Sequence, residues 1–257
     1  MKQYIVDAFA REIFGGNPAA VCVMDAWLSD DLMQKIAIEN NLSETAFAVR
    51  EVDIYHLRWF TPGGEVDLCG HATLATGFTI LQFYQPEWPE VRFHTLSGEL
   101  IVRRDGDLLA MDFPTYPLER IDVTDEMERA LGVRPVEAYR NADLTLVLEN
   151  EEQVHSLSPD QNALLQLDGL CIIVTAQGSS FDCVSRVFCP RLSIPEDPVT
   201  GRAHCSLTPL WSGKLDRTDI HAYQASARGG ELHCTLAGGR TIIRGSAVLF
   251  AESELHV

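Results

Sequence analysis

The chain has 257 residues, of which 46% are hydrophobic and 22% charged, and its formal net charge is −17. A chain of this size and composition can fill one large domain or two ordinary lobes without staples. The negative charge argues against nucleic acid or an anionic membrane as a partner, because both are bound by clustered Lys and Arg.

The sequence also bears on the compartment. No apolar run reaches the roughly 20 residues of a membrane span, and Asp7 comes too early for a signal peptide. The seven cysteines are odd in number and form no Cys-x-x-Cys pair. Since disulfides are rare in the cytosol, we expect a reduced, cytoplasmic protein. The histidines outside the motifs below show no metal-ligand spacing, so no metal site is expected.

The first half is predicted to contain short strands and one helix. Ser29 is typical of an N-cap for a helix over Asp30–Glu39, whose first turn is acidic. Asp105-Gly106 predicts the turn of a hairpin. The strands, rich in β-branched and aromatic residues, are Tyr4–Phe9, Ala20–Met24, Thr45–Val49, Tyr55–Phe60, Leu100–Arg104 and Leu108–Phe113.

The second half begins after a candidate linker at Phe113–Pro117. A helix over Asp125–Leu131 is closed by Gly132, and Ser158-Pro159 is expected to cap a short helix. The predicted strands are Leu144–Leu148, Cys171–Thr175, a hairpin of Leu232–Leu236 with Thr241–Arg244, and Ala247–Ala251.

A pattern in the first half recurs in the second. Arg58–Pro62 reads R-x-F-x-P and leads to Glu65, Gly70 and an alanine; Arg186–Pro190 reads the same and leads to Glu196, Gly201 and an alanine. The loop is three residues longer in the second copy. This echo indicates two related lobes, although short patterns also match by chance.

Each copy places a glycine, Gly70 or Gly201, where a loop becomes a helix. The first N–H groups of a helix have no partner inside it and attract anions. Two such ends across a cleft would hold a substrate carboxylate and stabilise the enolate-like charge formed when a neighbouring carbon loses a proton. The alternative is that both are ordinary turn glycines.

Proton transfer at carbon needs a base, and the candidates are Glu44, His71 and Asp197. Glu44 begins an apolar strand; under a closing lobe, burial and the nearby Asp197 would raise its pKa. The alternatives are an exposed glutamate, a helix-cap histidine and a turn aspartate. Cys69 near His71, and Cys205 beside His204, suggest thiol chemistry, but buried inert thiols are the simpler interpretation.

Several segments together, from end to end of the chain, resemble the phenazine-biosynthesis-protein-like (PhzF-like) isomerase family, whose fold is shared with diaminopimelate epimerase. They are Asp7-Ala8-Phe9, Gly16–Val21, Ser43–Phe47, Arg58–Pro62, Cys69–Thr73, Glu196–Gly201, Ala203-His204-Cys205 and Arg228–Leu232.

The resemblance implies an α+β fold of two pseudo-symmetric lobes, each a small β-barrel around a central helix, comprising residues 1–113 with 246–257 and residues 114–245. It implies an active site in the cleft between them, no cofactor, a homodimer, and proton movement between carbons of a small carboxylate, a dihydro-hydroxyanthranilate in the characterised member. Carried over by motif, Glu44 is the general acid/base, assisted by His71 and Asp197. Substrate-binding residues are then Ser43, Gly70, Gly201 and Arg202.

One departure from the family concerns Arg202, which stands where the family usually has serine. A guanidinium could bind a carboxylate, fill space needed by a bulkier ring, or pair with Asp197. The phenazine precursor is therefore in doubt as substrate. Cys69 matches the first of two epimerase cysteines, but the second motif offers Thr200 or Val199. An epimerase or racemase of amino or hydroxy acids, and a catalytically silent acidic binding protein of this fold, remain alternatives.

Overall fold

The structure is a computed structural model that describes residues 1–192 and 194–257. It divides into two compact units, Met1–Asp112 with Ile242–Val257, and Phe113–Thr241. The sequence placed these boundaries after residues 113 and 245. Within the described residues, no helix combines the length and the apolar character needed to cross a bilayer.

The chain forms eighteen strands and six α-helices among the described residues. Up to the first boundary they are β1 (Lys2–Ala8), β2 (Asn17–Met24), α1 (Asp30–Asn40), β3 (Glu44–Glu51), β4 (Ile54–Thr61), β5 (Gly64–Val66), α2 (Gly70–Thr79), a π-helical turn (Ile80–Tyr84), β6 (Glu90–Thr95), β7 (Gly98–Asp105) and β8 (Leu108–Pro114). They continue with β9 (Glu119–Ile121), α3 (Asp125–Leu131), β10 (Glu137–Arg140), β11 (Leu144–Val147), α4 (Glu151–Ser156), α5 (Gln161–Leu164), β12 (Ile172–Gln177), β13 (Cys183–Cys189), a 3₁₀ turn (Pro190–Leu192), β14 (Ile194–Asp197), α6 (Gly201–Leu215), β15 (Asp219–Gln224), β16 (Gly230–Ala237), β17 (Arg240–Gly245) and β18 (Ala247–Glu254).

The two units repeat one pattern of strand pairing. In the first, β1–β2 is antiparallel, β2–β3 parallel, β3–β4 antiparallel, β4–β6 parallel and β6–β7 antiparallel. In the second, β10–β11, β11–β12, β12–β13, β13–β15 and β15–β16 follow the same alternation. A parallel pair needs a crossover, which the helices supply: α1 and α2 in the first unit, and α4 with α5, then α6, in the second. The predicted α+β fold with repeated lobes is confirmed.

Helix α2 is buried over most of its length, as expected for a helix enclosed by strands. Thr73, Thr76 and Thr79 donate their hydroxyls to carbonyls four residues earlier, at 2.5, 2.7 and 2.9 Å. Their polarity is thereby satisfied inside the helix. A Cβ at Gly77 would lie 2.5 Å from Val102 Cγ1, so only glycine lets β7 approach this closely.

Local capping signals were read correctly for two helices and wrongly for a third. Ser29 Oγ accepts from Leu32 N at 3.3 Å, and Gly132 closes α3 with a left-handed φ of 75°. The prediction that Ser158 caps the next short helix was wrong. Asp160 caps it by accepting from two backbone N–H groups, because the helix begins at Gln161 and Ser158 lies two residues before the N-cap position.

The prediction that all cysteines are reduced was also wrong. Cys171 and Cys189 form a disulfide, with their Cα atoms 4.3 Å apart, whereas the other five cysteines are buried and form no disulfide. The sequence does not indicate this pair, because Cys171 immediately precedes β12 and Cys189 ends β13, a proximity created by the antiparallel register Ile172↔Phe188.

We expect reduction by dithiothreitol to lower the free energy of unfolding by about 3 kcal/mol, because a loop of this size gains conformational freedom when it opens. The separation of the two cysteines is 18 residues. Denaturant unfolding with and without dithiothreitol measures the difference. The Cys171→Ala/Cys189→Ala variant is the control and should not respond. An unfolding midpoint of the wild type unmoved by the reductant would contradict the prediction.

Candidate active site

In the first unit, Arg58 on β4 orders the chain that leads into α2. Its Nε and Nη2 donate to the two carboxylate oxygens of Glu65 at 2.6 and 2.8 Å. Its guanidinium centre lies 5.1 Å from the centroid of the Phe60 ring. This two-point contact fixes β5 to β4 just before Gly70.

The second unit repeats these contacts. Arg186 on β13 donates through Nε and Nη2 to Glu196 on β14 at 2.7 and 2.9 Å, and its guanidinium centre lies 5.1 Å from the Phe188 ring. Gly201 then begins α6. The same residues making the same contacts in both copies are not what a chance match would give, so the sequence echo is a structural repeat.

A buried group of polar side chains gathers where α2 begins. His71 Nε2 lies 3.0 Å from Glu44 Oε2, with only 6% and 12% of these side chains exposed. His71 Nδ1 lies 3.1 Å from Asn17 Nδ2 and 3.5 Å from Cys69 Sγ. Asn17 and Glu44 are close because each begins a strand of one parallel pair, β2 and β3, so both lie at the same edge.

The electrostatics of this group favour an ion pair. Burial disfavours a charged imidazole, but Cys69 and Glu44 outweigh it and hold the pKa of His71 well above its usual value. Burial and the charge of Glu44 raise the pKa of the Cys69 thiol to about 11. Because a protonated Cys69 carries no charge at neutral pH, we take Glu44, 3.0 Å away, as the ion-pair partner of His71.

Two further predicted residues flank this group. Gly70 is the first residue of α2, and its N-cap, Cys69, makes no side-chain capping bond. Such a helix end carries partial positive charge. Ser43 lies immediately before β3 and is half-buried. The substrate-binding roles of Gly70 and Ser43 stay predictions. Asn17 was named only within a motif, and nothing in the sequence marked it as the neighbour of His71.

In the second unit, Asp197 ends β14 and belongs to a hydrogen-bonded turn. Thr200 Oγ1 donates to Asp197 Oδ2 at 2.5 Å. The Gln224 side chain bridges the turn, donating to the Asp197 carbonyl at 2.7 Å and accepting from Thr200 N at 2.9 Å. This holds the chain just before Gly201. The sequence did not single out Gln224, because it lies on β15, 24 residues after Thr200. The roles assigned to Asp197 and Gly201 stay predictions.

Arg202 has a partner that the sequence did not suggest. Its Nε donates to Asp143 Oδ2 at 3.0 Å and its Nη2 lies 3.4 Å from Oδ1. The Asp143 side chain is 2% exposed and that of Arg202 is 37% exposed. Asp143 Oδ1 also accepts from Cys171 N at 3.2 Å. None of the three roles considered for Arg202 included this ion pair, and a role in binding substrate stays a prediction.

The second thiol–histidine pair lacks the features of a reactive site. His204 Nδ1 lies 2.8 Å from the carbonyl oxygen of Thr200, and burial lowers the pKa of His204 to about 4. Burial also raises the pKa of Cys205 far above its usual value. A neutral histidine beside a protonated thiol supports the interpretation of Cys205 as a buried, inert residue.

Comparison with known proteins identifies the family. The model of the family described as "Phenazine biosynthesis-like protein" matches residues 6–253. The chain belongs to this phenazine biosynthesis-like family. An uncharacterized isomerase of Pseudomonas aeruginosa is 48% identical over 252 residues, which cover 98% of this chain and 97% of that protein. The crystal structure of a PhzF-family protein from Enterococcus faecalis is 51% identical, with a TM-score of 0.98 over 100% of this chain and 99% of that one.

More distant structures share only the fold. A probable proline racemase from Agrobacterium radiobacter superposes with a TM-score of 0.66 at 10% identity, covering 100% of this chain and 93% of that one. The phenazine biosynthesis-like chain thus has the epimerase-type fold expected from its motifs. Relatives of this PhzF-like family named as isomerases support an isomerase, without specifying its substrate.

Proposed function

We propose that the protein is a cofactor-independent isomerase that moves a carbon-bound proton on a small carboxylate, with Glu44 as the general acid/base. One observation carries this proposal: a buried carboxylate lies 3.0 Å from a buried histidine, at the first turn of a buried helix. Ion pairs that only stabilise a fold are seldom enclosed in this way, because removing both charges from water is costly. Excluding water from these groups favours proton transfer at carbon, because it strengthens the electrostatic interactions in the site and protects the charged intermediate from solvent.

The proposed chemistry uses Glu44 twice. Its carboxylate takes a proton from a carbon of the substrate, and the electron pair left behind delocalises toward the substrate's carboxylate. Glu44 then returns the proton to a different carbon, so that a double bond moves and no atom is gained or lost. The imidazolium of His71 and the amino end of α2 stabilise the negative charge that develops between the two steps.

The other residues carried over by motif have supporting roles in the proposal. Gly70 lets a carboxylate approach the first N–H groups of α2, because glycine has no Cβ. Gly201 begins the repeated helix α6 in the same manner. Asp197, held by Thr200 and Gln224, is proposed to assist proton transfer. Ser43 and Arg202 are proposed to contact the substrate.

The assay that tests the proposal is solvent exchange. The protein is incubated in D₂O with separate aromatic, cyclic unsaturated and aliphatic carboxylates, and NMR follows the loss of carbon-bound proton signals. An isomerase incorporates deuterium at carbon and shifts the position of a double bond. Absence of exchange across the panel would instead favour the catalytically silent binding protein. Glu44→Gln, which is expected to be inactive, is the negative control for this assay.

Epimerisation is the second candidate, because Cys69 Sγ lies 3.5 Å from His71 Nδ1. In that reaction the proton returns to the same carbon from the opposite face, so an amino or hydroxy acid inverts its configuration without moving a double bond. Loss of this inversion after Cys69 is blocked would favour the epimerase. With a pKa of about 11 the Cys69 thiol is almost entirely protonated at neutral pH and cannot take up a proton from carbon, which favours Glu44 as the base.

We expect His71→Gln to lower the exchange rate by roughly 10²-fold, because Glu44 loses its cationic neighbour and the developing charge loses a donor. The raised pKa of His71 also sets the sign of the pH dependence. The imidazolium persists through neutral pH and loses its proton only as the pH rises through that raised value. Wild-type activity should therefore show no inflection near pH 6.5 and should fall on the alkaline side.

The pH–rate profiles of the wild type and His71→Gln measure this effect. The variant should lack the part of the alkaline decline that comes from His71, because it has no imidazolium to deprotonate. A wild-type activity that instead rises through pH 6.5 would show that neutral His71 is the active form, and would contradict the prediction.

A further inference from the structure

We propose that the second unit binds a divalent transition-metal ion of the Zn²⁺ type on strands β15 and β16, through His221, Glu231 and His233. His221 and His233 lie directly opposite each other in this antiparallel pair. Glu231 lies two residues before His233 and therefore on the same face of the sheet. One ligand atom from each of the three side chains lies within 4.8 Å of the other two.

The donor set matches the chemistry of zinc. Two imidazole nitrogens and one carboxylate oxygen, with water as the fourth ligand, form a recurring tetrahedral site. Mg²⁺ and Ca²⁺ prefer oxygen ligands alone, so imidazoles select a transition metal. The two rings are stacked, with centroids 4.3 Å apart and planes 9° from parallel. Bond lengths near 2.0–2.1 Å in a tetrahedron place two ligand nitrogens roughly 3.4 Å apart, which modest side-chain rotations would achieve.

A second observation at this group points to a ligand. His221 Nε2 is buried and has no hydrogen-bond partner among the described residues. A buried nitrogen without a partner is costly. A metal ion would supply that partner by binding the lone pair of the imidazole nitrogen. The rings of Phe181 and His221 make an edge-to-face contact at a centroid distance of 4.8 Å, which limits the directions in which this imidazole can turn.

The charge of the chain favours a cation. With a formal net charge of −17, the protein raises the local concentration of positive ions around it. The ion would also join two strands close to the turn that contains Asp197. β15 ends at Gln224, whose side chain holds that turn. We therefore assign the metal a structural role, independent of the proposed isomerase chemistry.

The experiment uses the full-length chain, free of tags and stripped with chelator. Zn²⁺ is titrated in competition with a chromophoric chelator, and thermal unfolding is followed with and without Zn²⁺. We expect one equivalent to bind and to raise the unfolding temperature. His221→Gln/His233→Gln should weaken binding by at least about tenfold and remove the stabilisation by Zn²⁺. His155→Gln, a change of an exposed histidine at the end of α4, should leave both unchanged.

Two further variants keep the proposal falsifiable. Glu231→Gln leaves both imidazoles in place and should still weaken Zn²⁺ binding. It therefore tests the site even if the double histidine variant is too unstable without metal to be measured. Cys69→Ser tests the alternative site formed by Glu44, Cys69 and His71, whose ligand atoms also lie within 4.8 Å of one another. Loss of binding in Cys69→Ser with retention in the double histidine variant would overturn the proposal, as would a wild type that binds no Zn²⁺.

Discussion

Replacing Glu44 by glutamine is expected to lower the rate of deuterium exchange by about 10²–10⁴-fold, the range typical of a lost general acid/base. Glutamine has nearly the same size and can still contact His71 Nε2, which lies 3.0 Å from the Glu44 carboxylate. The amide cannot accept a proton from carbon, so the chemistry is lost while the packing is kept. The NMR exchange assay, run with the best substrate of the panel, measures the loss.

The chain contains a matched control for this variant. Glu51 lies at the far end of β3 and contacts His56 Nε2 at 3.1 Å, but 57% of the Glu51 side chain is exposed. Glu51→Gln therefore makes the same chemical change to a glutamate–histidine pair in water, and should leave exchange unchanged. Undiminished exchange in a folded Glu44→Gln protein would refute Glu44 as the acid/base. Equal losses in both variants would point to a general effect on stability.

Changing Arg202 to serine, the residue usual in the family, is expected to destabilise the fold by about 2–4 kcal/mol. Removing one partner of a buried ion pair strands the other charge, here that of Asp143. We place the loss below the largest such effects, because the Arg202 side chain is 37% exposed and Asp143 retains the N–H of Cys171 at 3.2 Å. Denaturant unfolding of both proteins without ligand measures the loss.

The compensating variant separates charge from packing. Asp143→Asn removes the stranded charge, so Arg202→Ser/Asp143→Asn should recover most of the lost stability. Failure of this recovery would show that Arg202 acts through packing alone, including its contact with the Tyr116 ring at 5.9 Å. With stability restored, exchange by the double variant tests whether Arg202 also contacts substrate. Activity appearing only after Arg202 is removed would support the silent binding protein.

Much of the fold could be predicted because the signals act over a few residues. Ser29 caps a helix three residues away, and Gly132 ends one at a left-handed φ. The repeated R-x-F-x-P motif was equally readable, because each arginine and its glutamate lie seven or ten residues apart in one continuous segment. The Asp160 cap shows where local signals fail to predict a helix start. A serine, a proline and an aspartate follow one another at 158–160, and only the folded backbone decides which of them is the N-cap.

Motifs in the sequence named residues of the candidate site, but they did not give the contacts between them. Glu44 and His71 could be named from motifs, yet the 3.0 Å contact between them depends on where β3 meets the amino end of α2.

The sequence by itself thus determined the repeat, two of the helix caps and the identity of the acid/base candidates, since these depend on neighbouring residues. Only the tertiary structure decided the partners of Arg202, the disulfide, the bridge made by Gln224 and the meeting of His221 with His233. The physical reason is that strand register and helix packing bring together side chains that are far apart in the chain, and register is set by the whole buried core.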